Sequence, residues 1–279
     1  MRIFKVEDLI EPIKNMCIQA CRVLPDDVWE KLEELREKET SAASASALDD
    51  IIKNYEIARE SQMPSCQDTG MALVFIDQGR DVFFEGNLED AVQEGVRQGY
   101  LEGYLRKSIV SDPLRRVNTG TNTPTAVYLR LVDGDKVTVT VAPKGFGSEN
   151  MGRLQMLKPA DGEDGVKDFV LETVKLAGPN PCPPIIVGVG IGGNFDKVAL
   201  AAKRSLLRKT GEHNPDPYYA EMEKELLEKI NKIGIGAQGY GGRSTAMAVH
   251  IEALPTHIAG LPVAVNIQCH AARHVTEVL

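Results

Sequence analysis

The sequence predicts a mixed α/β (α+β) fold, in which a helical N-terminal region of about residues 1–62 leads into mixed sheet and helices. Three observations predict it. Apolar residues recur at helical spacing through Val28, Leu32 and Leu35, and again through Leu48, Ile51, Ile52, Tyr55 and Ile57. Two β-branched runs, 125–132 and 136–142, flank Asp133-Gly134-Asp135, the pattern of a hairpin. The apolar run 185–189 is followed by a helical pattern over 195–207, as a buried strand feeding a helix would be.

The remaining elements follow in order. Residues 71–76 form a short apolar run after a turn signal and predict a strand, and 88–105 alternates charged and apolar residues with helical period. Residues 165–177 predict a helix that stops at Gly178-Pro179, and 216–233 another. Strands are expected at 246–251 and 263–267, around a loop that holds His257. With no repeat and no low-complexity linker, one domain over residues 1–279 is expected, and 209–217 is its only flexible joint.

Composition excludes several functions. A hydrophobic content of 43% over 279 residues suffices for a real core. Aromatic residues at 5% leave little to stack on bases, and a net charge of −8 argues against a nucleic-acid partner. No stretch approaches the roughly 18 apolar residues of a membrane span. The first residues carry acids and no apolar signal core, so a cytoplasmic protein is expected.

The cysteines separate into two kinds. Cys17 and Cys21 lie four apart in a helical pattern with Ile13, Met16, Ile18 and Val23, as buried core thiols do. Cys66, Cys182 and Cys269 stand instead among Pro, Gly, amides and charge, in Pro64-Ser65-Cys66-Gln67-Asp68-Thr69-Gly70, Asn180-Pro181-Cys182-Pro183-Pro184 and Gln268-Cys269-His270. Thiols where backbone donors converge suit thiolate ligands of a metal. Three such ligands on a four-iron cluster would leave one iron open to substrate as a Lewis acid. Zinc, with His270 or His274 as a fourth ligand, is the alternative donor set, as is an electron-transfer cluster with no catalytic role.

Gly188-Val189-Gly190-Ile191-Gly192-Gly193 satisfies the dinucleotide pattern but lacks the second strand ending in an acid. Gly234-Ile235-Gly236-Ala237-Gln238-Gly239 follows a helix and fails sooner. Nicotinamide binding is rejected, and these glycines are expected to let backbone approach a bound group. The loop Gly145-Phe146-Gly147-Ser148-Glu149-Asn150-Met151-Gly152 can form either an anion nest or a tight capped turn. Asp68 would orient a metal-bound water if Cys66 is a ligand, although an Asp opening a turn is commonplace. Among the histidines, His257 occupies a loop and is the best candidate to touch a substrate, whereas His250 lies in a strand and reads as a core residue.

These motifs together resemble the alpha subunit of two-subunit class I iron–sulfur hydro-lyases, the fumarate hydratase and L-tartrate dehydratase family. The resemblance runs over nearly the whole length. It rests on Cys66-Gln67-Asp68-Thr69-Gly70, on Asn118-Thr119-Gly120 with Asn122 and Pro124, on Gly145, Gly147, Ser148 and Asn150, on Cys182-Pro183-Pro184 with Gly190, Gly192 and Gly193, and on Cys269-His270-Ala271. It implies a 4Fe–4S cluster held by Cys66, Cys182 and Cys269. It also implies substrate contacts from Gln67, Asp68, Arg106, Gly147 and His257, with Asp68 and His257 the catalytic candidates of this chain. Further arginines, a lysine and the base are implied on a separate beta subunit, in a heterodimer or heterotetramer. The reaction implied is the hydration of fumarate to (S)-malate, with tartrate dehydration as the alternative.

Overall fold

The structure is a computed structural model that describes residues 1–279. In chain order it contains β1 (Arg2–Lys5), α1 (Ile10–Arg22), α2 (Asp26–Lys38), α3 (Ala42–Ser61), β2 (Met71–Gly79), β3 (Val82–Glu85) and α4 (Leu88–Glu102). These are followed by β4 (Ala126–Val132), β5 (Val137–Lys144), the one-turn α5 (Phe146–Glu149), β6 (Arg153–Leu157), α6 (Gly162–Ala177) and β7 (Ile185–Gly192). The chain closes with α7 (Phe195–Ser205), α8 (Pro217–Ile233), β8 (Ala246–Leu254), β9 (Leu261–Gln268) and β10 (Val275–Val278). The fold is mixed α/β, as the sequence predicts. Its contacts divide into two compact units: Met1–Pro25 with Tyr55–Phe146 and Arg273–Leu279, and Asp26–Asn54 with Gly147–Ala272.

The first unit is built on a four-stranded sheet of order β10-β5-β2-β4. Residues 72–76 of β2 are all buried, the pattern of a central strand covered on both faces. Ala72, Val74 and Ile76 share a core with Val137, Val139 and Val141 of β5 and with Ile13, Met16, Cys17 and Cys21 of α1. Alternate positions of each strand therefore meet one apolar stripe of the helix. Helix α4 joins this core through Val92, Val96 and Tyr100, and Asn87 caps its start by accepting the Glu89 and Asp90 amides. Strand β1 pairs with β3 in a separate parallel ribbon, so residues 2–5 are not helical.

The expected hairpin around Asp133-Gly134-Asp135 does not form. Its two strands exist, but β4 runs parallel to β2 and β5 antiparallel to it, so β2 lies between them. The chain after β2 occupies the turn instead: Gly79 N–H donates to Lys136 O, Arg80 N–H to Val132 O and Asp81 N–H to Gly134 O. Burial of β2 on both faces outweighs the local turn preference.

The second unit holds a sheet of order β6-β9-β7-β8, in which β7 is parallel to β8 and antiparallel to β9. Every residue of β7 is buried. Gly190 explains how α7 lies so close, since a Cβ there would come 2.2 Å from Val198 O. The first glycine motif thus admits a helix, not a bound group. On the same sheet Val187, Val189, Val249 and Ile251 pack with Phe169 and Val174 of α6 and Leu226 and Ile230 of α8.

The segment 209–217, expected to be a flexible joint, is pinned. Thr210 N–H donates to Asp27 Oδ2 at 2.7 Å, and Asn214 N–H to Glu223 Oε2 at 2.9 Å. Glu223 is 1% exposed and also accepts Arg208 Nη1 and Ile251 N–H. A buried carboxylate is tolerated because its oxygens are matched by a guanidinium and two amides.

A second carboxylate fastens the other glycine-rich loop, 234–242. Glu39, between α2 and α3, accepts the amides of Thr40, Ser41, Arg243 and Ser244 and the Ser244 hydroxyl. Burial opposes the charge, but the Ser244 hydroxyl and these amides outweigh it and pull the Glu39 carboxyl down from 4.5 to about 2. A folded pKa below the unfolded one stabilises above about pH 4.5, and that contribution fades as pH falls through about 2. Glu39→Gln is therefore expected to cost about 1.5–3 kcal/mol at pH 7, the worth of a hydrogen bond to a charged group. In urea titrations the gap between wild type and variant should close between pH 4.5 and pH 2; a gap that stays constant with pH would show that the charge of Glu39 contributes nothing.

Candidate functional site

The second unit brings two of the candidate thiols to one end of its sheet. Cys182 lies two prolines before the start of β7 and Cys269 immediately follows β9, and the register pairs Ile186 with Gln268. Antiparallel pairing therefore joins the two loops, and His270 N–H donates to Cys182 O at 3.3 Å. Cys182 is exposed with φ +54°, and Cys269 is half-buried with its sulfur 3.8 Å from Gln268 Nε2. Gly147 joins this end of the unit, where a Cβ on it would lie 3.6 Å from Asn180 O.

The loop that carries Gly147 resolves as a single helical turn, closed by Met151 N–H on Ser148 O and Gly152 N–H on Glu149 O. Glu149 holds it to the sheet, accepting Lys203 Nζ from α7 and Asn266 Nδ2 from β9.

The third thiol belongs to the first unit. The Cys66 sulfur accepts the Asp68 amide at 3.4 Å, within a turn that Asp68 itself organises. One carboxylate oxygen of Asp68 accepts Gly70 N–H at 3.0 Å, and the other accepts Phe146 N–H at 3.0 Å. Each oxygen keeps a second lone pair for a further partner. Gln67 is exposed beside it. Arg106 is placed through its backbone, whose carbonyl accepts the Thr69 hydroxyl at 3.1 Å, while its side chain reaches solvent.

Three residues support this turn, and two of them, Tyr100 and Arg273, escape sequence reasoning. Tyr100, fully buried, donates its hydroxyl to Thr69 O at 2.7 Å, and burial pushes its phenol well above the usual range. Asn122, also fully buried and at φ +60°, accepts Ser108 N–H and donates to Gly70 O, tying the segment after Arg106 to the turn after Cys66. Arg273 is 5% exposed and donates to Asp68 O. A signal for Arg273 exists in its place four residues after Cys269, and Asn122 lies within the motif that begins at Asn118; the aromatic carries none outside the fold.

His257 is not brought to the thiols of its own unit. It sits in the turn between β8 and β9, where its Nδ1 accepts Ala259 N–H at 3.2 Å. That turn lies beyond the Gly192–Leu254 pair, while Cys182 and Cys269 lie beyond the Ile186–Gln268 pair. Six residue steps along β7, from Ile186 to Gly192, at about 3.3 Å each separate the two pairs, roughly 20 Å. One copy of this unit cannot present His257 and Cys182 to the same four-carbon acid.

The donor set suits an iron–sulfur cluster. Cys17 and Cys21 are fully buried; burial drives the Cys17 thiol far up and the Cys21 thiol to about 11. Such thiols stay protonated and unreactive. Cys66 and Cys269 are partly exposed and Cys182 exposed, and the sulfurs of Cys66 and Cys269 accept N–H donors. No group of three or more His, Cys, Asp or Glu side chains is gathered at metal-holding distance, and the three thiols are divided between the two units. His250, expected to be a core residue, is buried at Ser205 O with its ring pushed down to about 4 by burial.

Comparison with known proteins identifies the family. Residues 10–278 match the family described as fumarate hydratase (Fumerase). A Methanocaldococcus jannaschii protein provisionally named L(+)-tartrate dehydratase subunit alpha is 46% identical over 280 residues, covering 98% of this chain and 97% of that protein. The L(+)-tartrate dehydratase subunit alpha of Escherichia coli is 34% identical over 275 residues, covering 97% of this chain and 90% of its own length. With a family match that spans nearly every residue and relatives of this identity aligned end to end, the chain belongs to the fumarate hydratase (Fumerase) family of hydro-lyases, in its alpha-subunit branch.

Proposed function

We propose that this chain is the cluster-binding alpha subunit of a two-subunit hydro-lyase that interconverts fumarate and (S)-malate. The observation that carries the reading is the sorting of five cysteines into two buried, inert thiols and three accessible ones in polar turns. Cys66, Cys182 and Cys269 would hold a 4Fe–4S cluster. When bound, such a cluster with three protein ligands supplies a Lewis-acidic iron that makes a poor hydroxyl leaving group departable.

The chain's own residues would do the positioning. Gln67 and Asp68, adjacent to Cys66, would contact the substrate, with the remaining lone pairs of the Asp68 carboxylate accepting from a substrate hydroxyl. Arg106 would bind one carboxylate of the substrate, and the Gly147 amide would meet it without a side chain in the way. Removing the carbon-bound proton needs a base, and Asp68 is already committed to two amides. We assign the base and further cationic contacts to a beta subunit. A role for His257 in the same reaction requires a second copy of this chain, as a heterotetramer provides, because its turn lies a full strand length from its own Cys182.

L-tartrate dehydration is the second reading, favoured by the names of the relatives. Tartrate carries one more hydroxyl than malate, and a pocket built to hydrogen-bond that group discriminates steeply against its absence. Steady-state rates of the chain with its beta subunit on malate and on both tartrate enantiomers decide. Malate turnover should be near zero for the chain alone and saturate at one beta subunit per chain. Full turnover without a partner would place the base here and make Asp68 the residue to mutate. Faster turnover of L-tartrate than of malate would select the second reading.

Replacing Cys66, Cys182 or Cys269 with Ser should each abolish the visible absorbance of the anaerobically loaded chain, while Cys17→Ser leaves it intact. A Cys182→Ser chain with wild-type absorbance would refute the ligand assignment.

A further inference from the structure

The glycine-rich loop 234–242 has no place in the nucleotide chemistry that its pattern suggests, yet it meets the Cys182 turn with unusual economy. Gln238 stands at φ +53°, ψ +15° within it. That left-handed conformation is costly for a residue with a side chain. Its backbone N–H donates to Pro183 O at 2.9 Å, and its side-chain Nε2 donates to the same oxygen at 3.0 Å. Pro183 is the residue after Cys182 and is buried.

One donor meets the requirement of a buried carbonyl. The second is surplus to it, and it comes from a side chain held where glycine would sit without strain. Strain kept at a position with a cheaper alternative points to a role beyond folding. The neighbouring contacts say what is being held. Gly239 packs so tightly that a Cβ on it would come 2.5 Å from Pro179 Cβ, and Pro179 O accepts Cys182 N–H at 3.0 Å. Cys182 O in turn accepts His270 N–H, next to Cys269. At its far end the loop is anchored by Glu39 through the amides of Arg243 and Ser244.

We propose that Gln238 is a positioning residue that fixes the Cys182 turn for ligation, with the glycine-rich loop as its mount. The two donors on Pro183 O fix the peptide plane between Pro183 and Pro184, one residue beyond Cys182, and so anchor the end of the turn from which its thiol points. The His270 bond carries the same restraint to the loop of Cys269. The role in ligation rests on the cluster reading; the restraint on the turn does not.

The test is Gln238→Gly in the full chain. Glycine keeps the backbone donor, removes the side-chain donor and relieves the positive φ, so thermal stability is expected to be unchanged or higher. In the metal-free chain, hydrogen exchange at the His270 amide should rise about three- to tenfold, the range that the net worth of one hydrogen bond gives. After anaerobic loading and desalting, the variant should retain less than about half of the iron that wild type retains, given the same loss of restraint. Unchanged exchange at His270, or iron retention equal to wild type, would overturn the proposal. A wild-type chain that retains no iron would contradict the cluster reading alone, and the exchange measurement would still decide the role of Gln238.

Discussion

The antiparallel register of β7 against β9 is the constraint on which the placement of the second unit's thiols depends. Pairing Ile186 with Gln268 brings Cys182 and Cys269, far apart in sequence, to one end of a sheet. The same register sends His257 to the other end. It is held by burial: every residue of β7 is inside, and a one-residue slip would exchange the faces of Val187 and Val189 with those of Gly188 and Gly190. Those two glycines face α7 at distances that no Cβ could share. Register, helix packing and thiol placement are therefore one decision, made by the small residues of β7.

The loops add the fine positioning that a sheet end alone lacks. Around Cys66 the fastening is polar and partly buried, with Asp68 accepting two amides, Tyr100 donating to Thr69 O and Arg273 donating to Asp68 O. Around Cys182 it is made by backbone carbonyls and by Gln238. Both turns leave a thiol accessible while satisfying the amides beside it. This separates them from the packing environment of Cys17, where burial keeps the thiol protonated. Polar groups that fix a ligand's direction are as much part of such a site as the ligand itself.

Much of this was legible in the chain. Helical periodicity marked α2, α3 and α4, the apolar run at 185–189 marked β7, and the contexts of the five cysteines sorted inert thiols from candidate ligands. What was not legible depends on partners distant in sequence. The Asp-Gly turn after β4 reads locally as a hairpin, and only the burial of β2 places another strand between the two runs. The polar stretch 209–217 reads as a joint because Asp27 and Glu223, which hold it, lie elsewhere in the chain. Short strands such as β1 and β10 have too few residues to show a period. Gln238 is hidden inside a nucleotide-like pattern whose glycines serve close packing instead.

We propose that three accessible thiols hold an iron–sulfur cluster rather than zinc. Iron, zinc and acid-labile sulfide analysis of the anaerobically purified chain tests it most directly. About four irons with about as many sulfides per chain are expected, the stoichiometry of one four-iron cluster. Stoichiometric zinc without sulfide would contradict it.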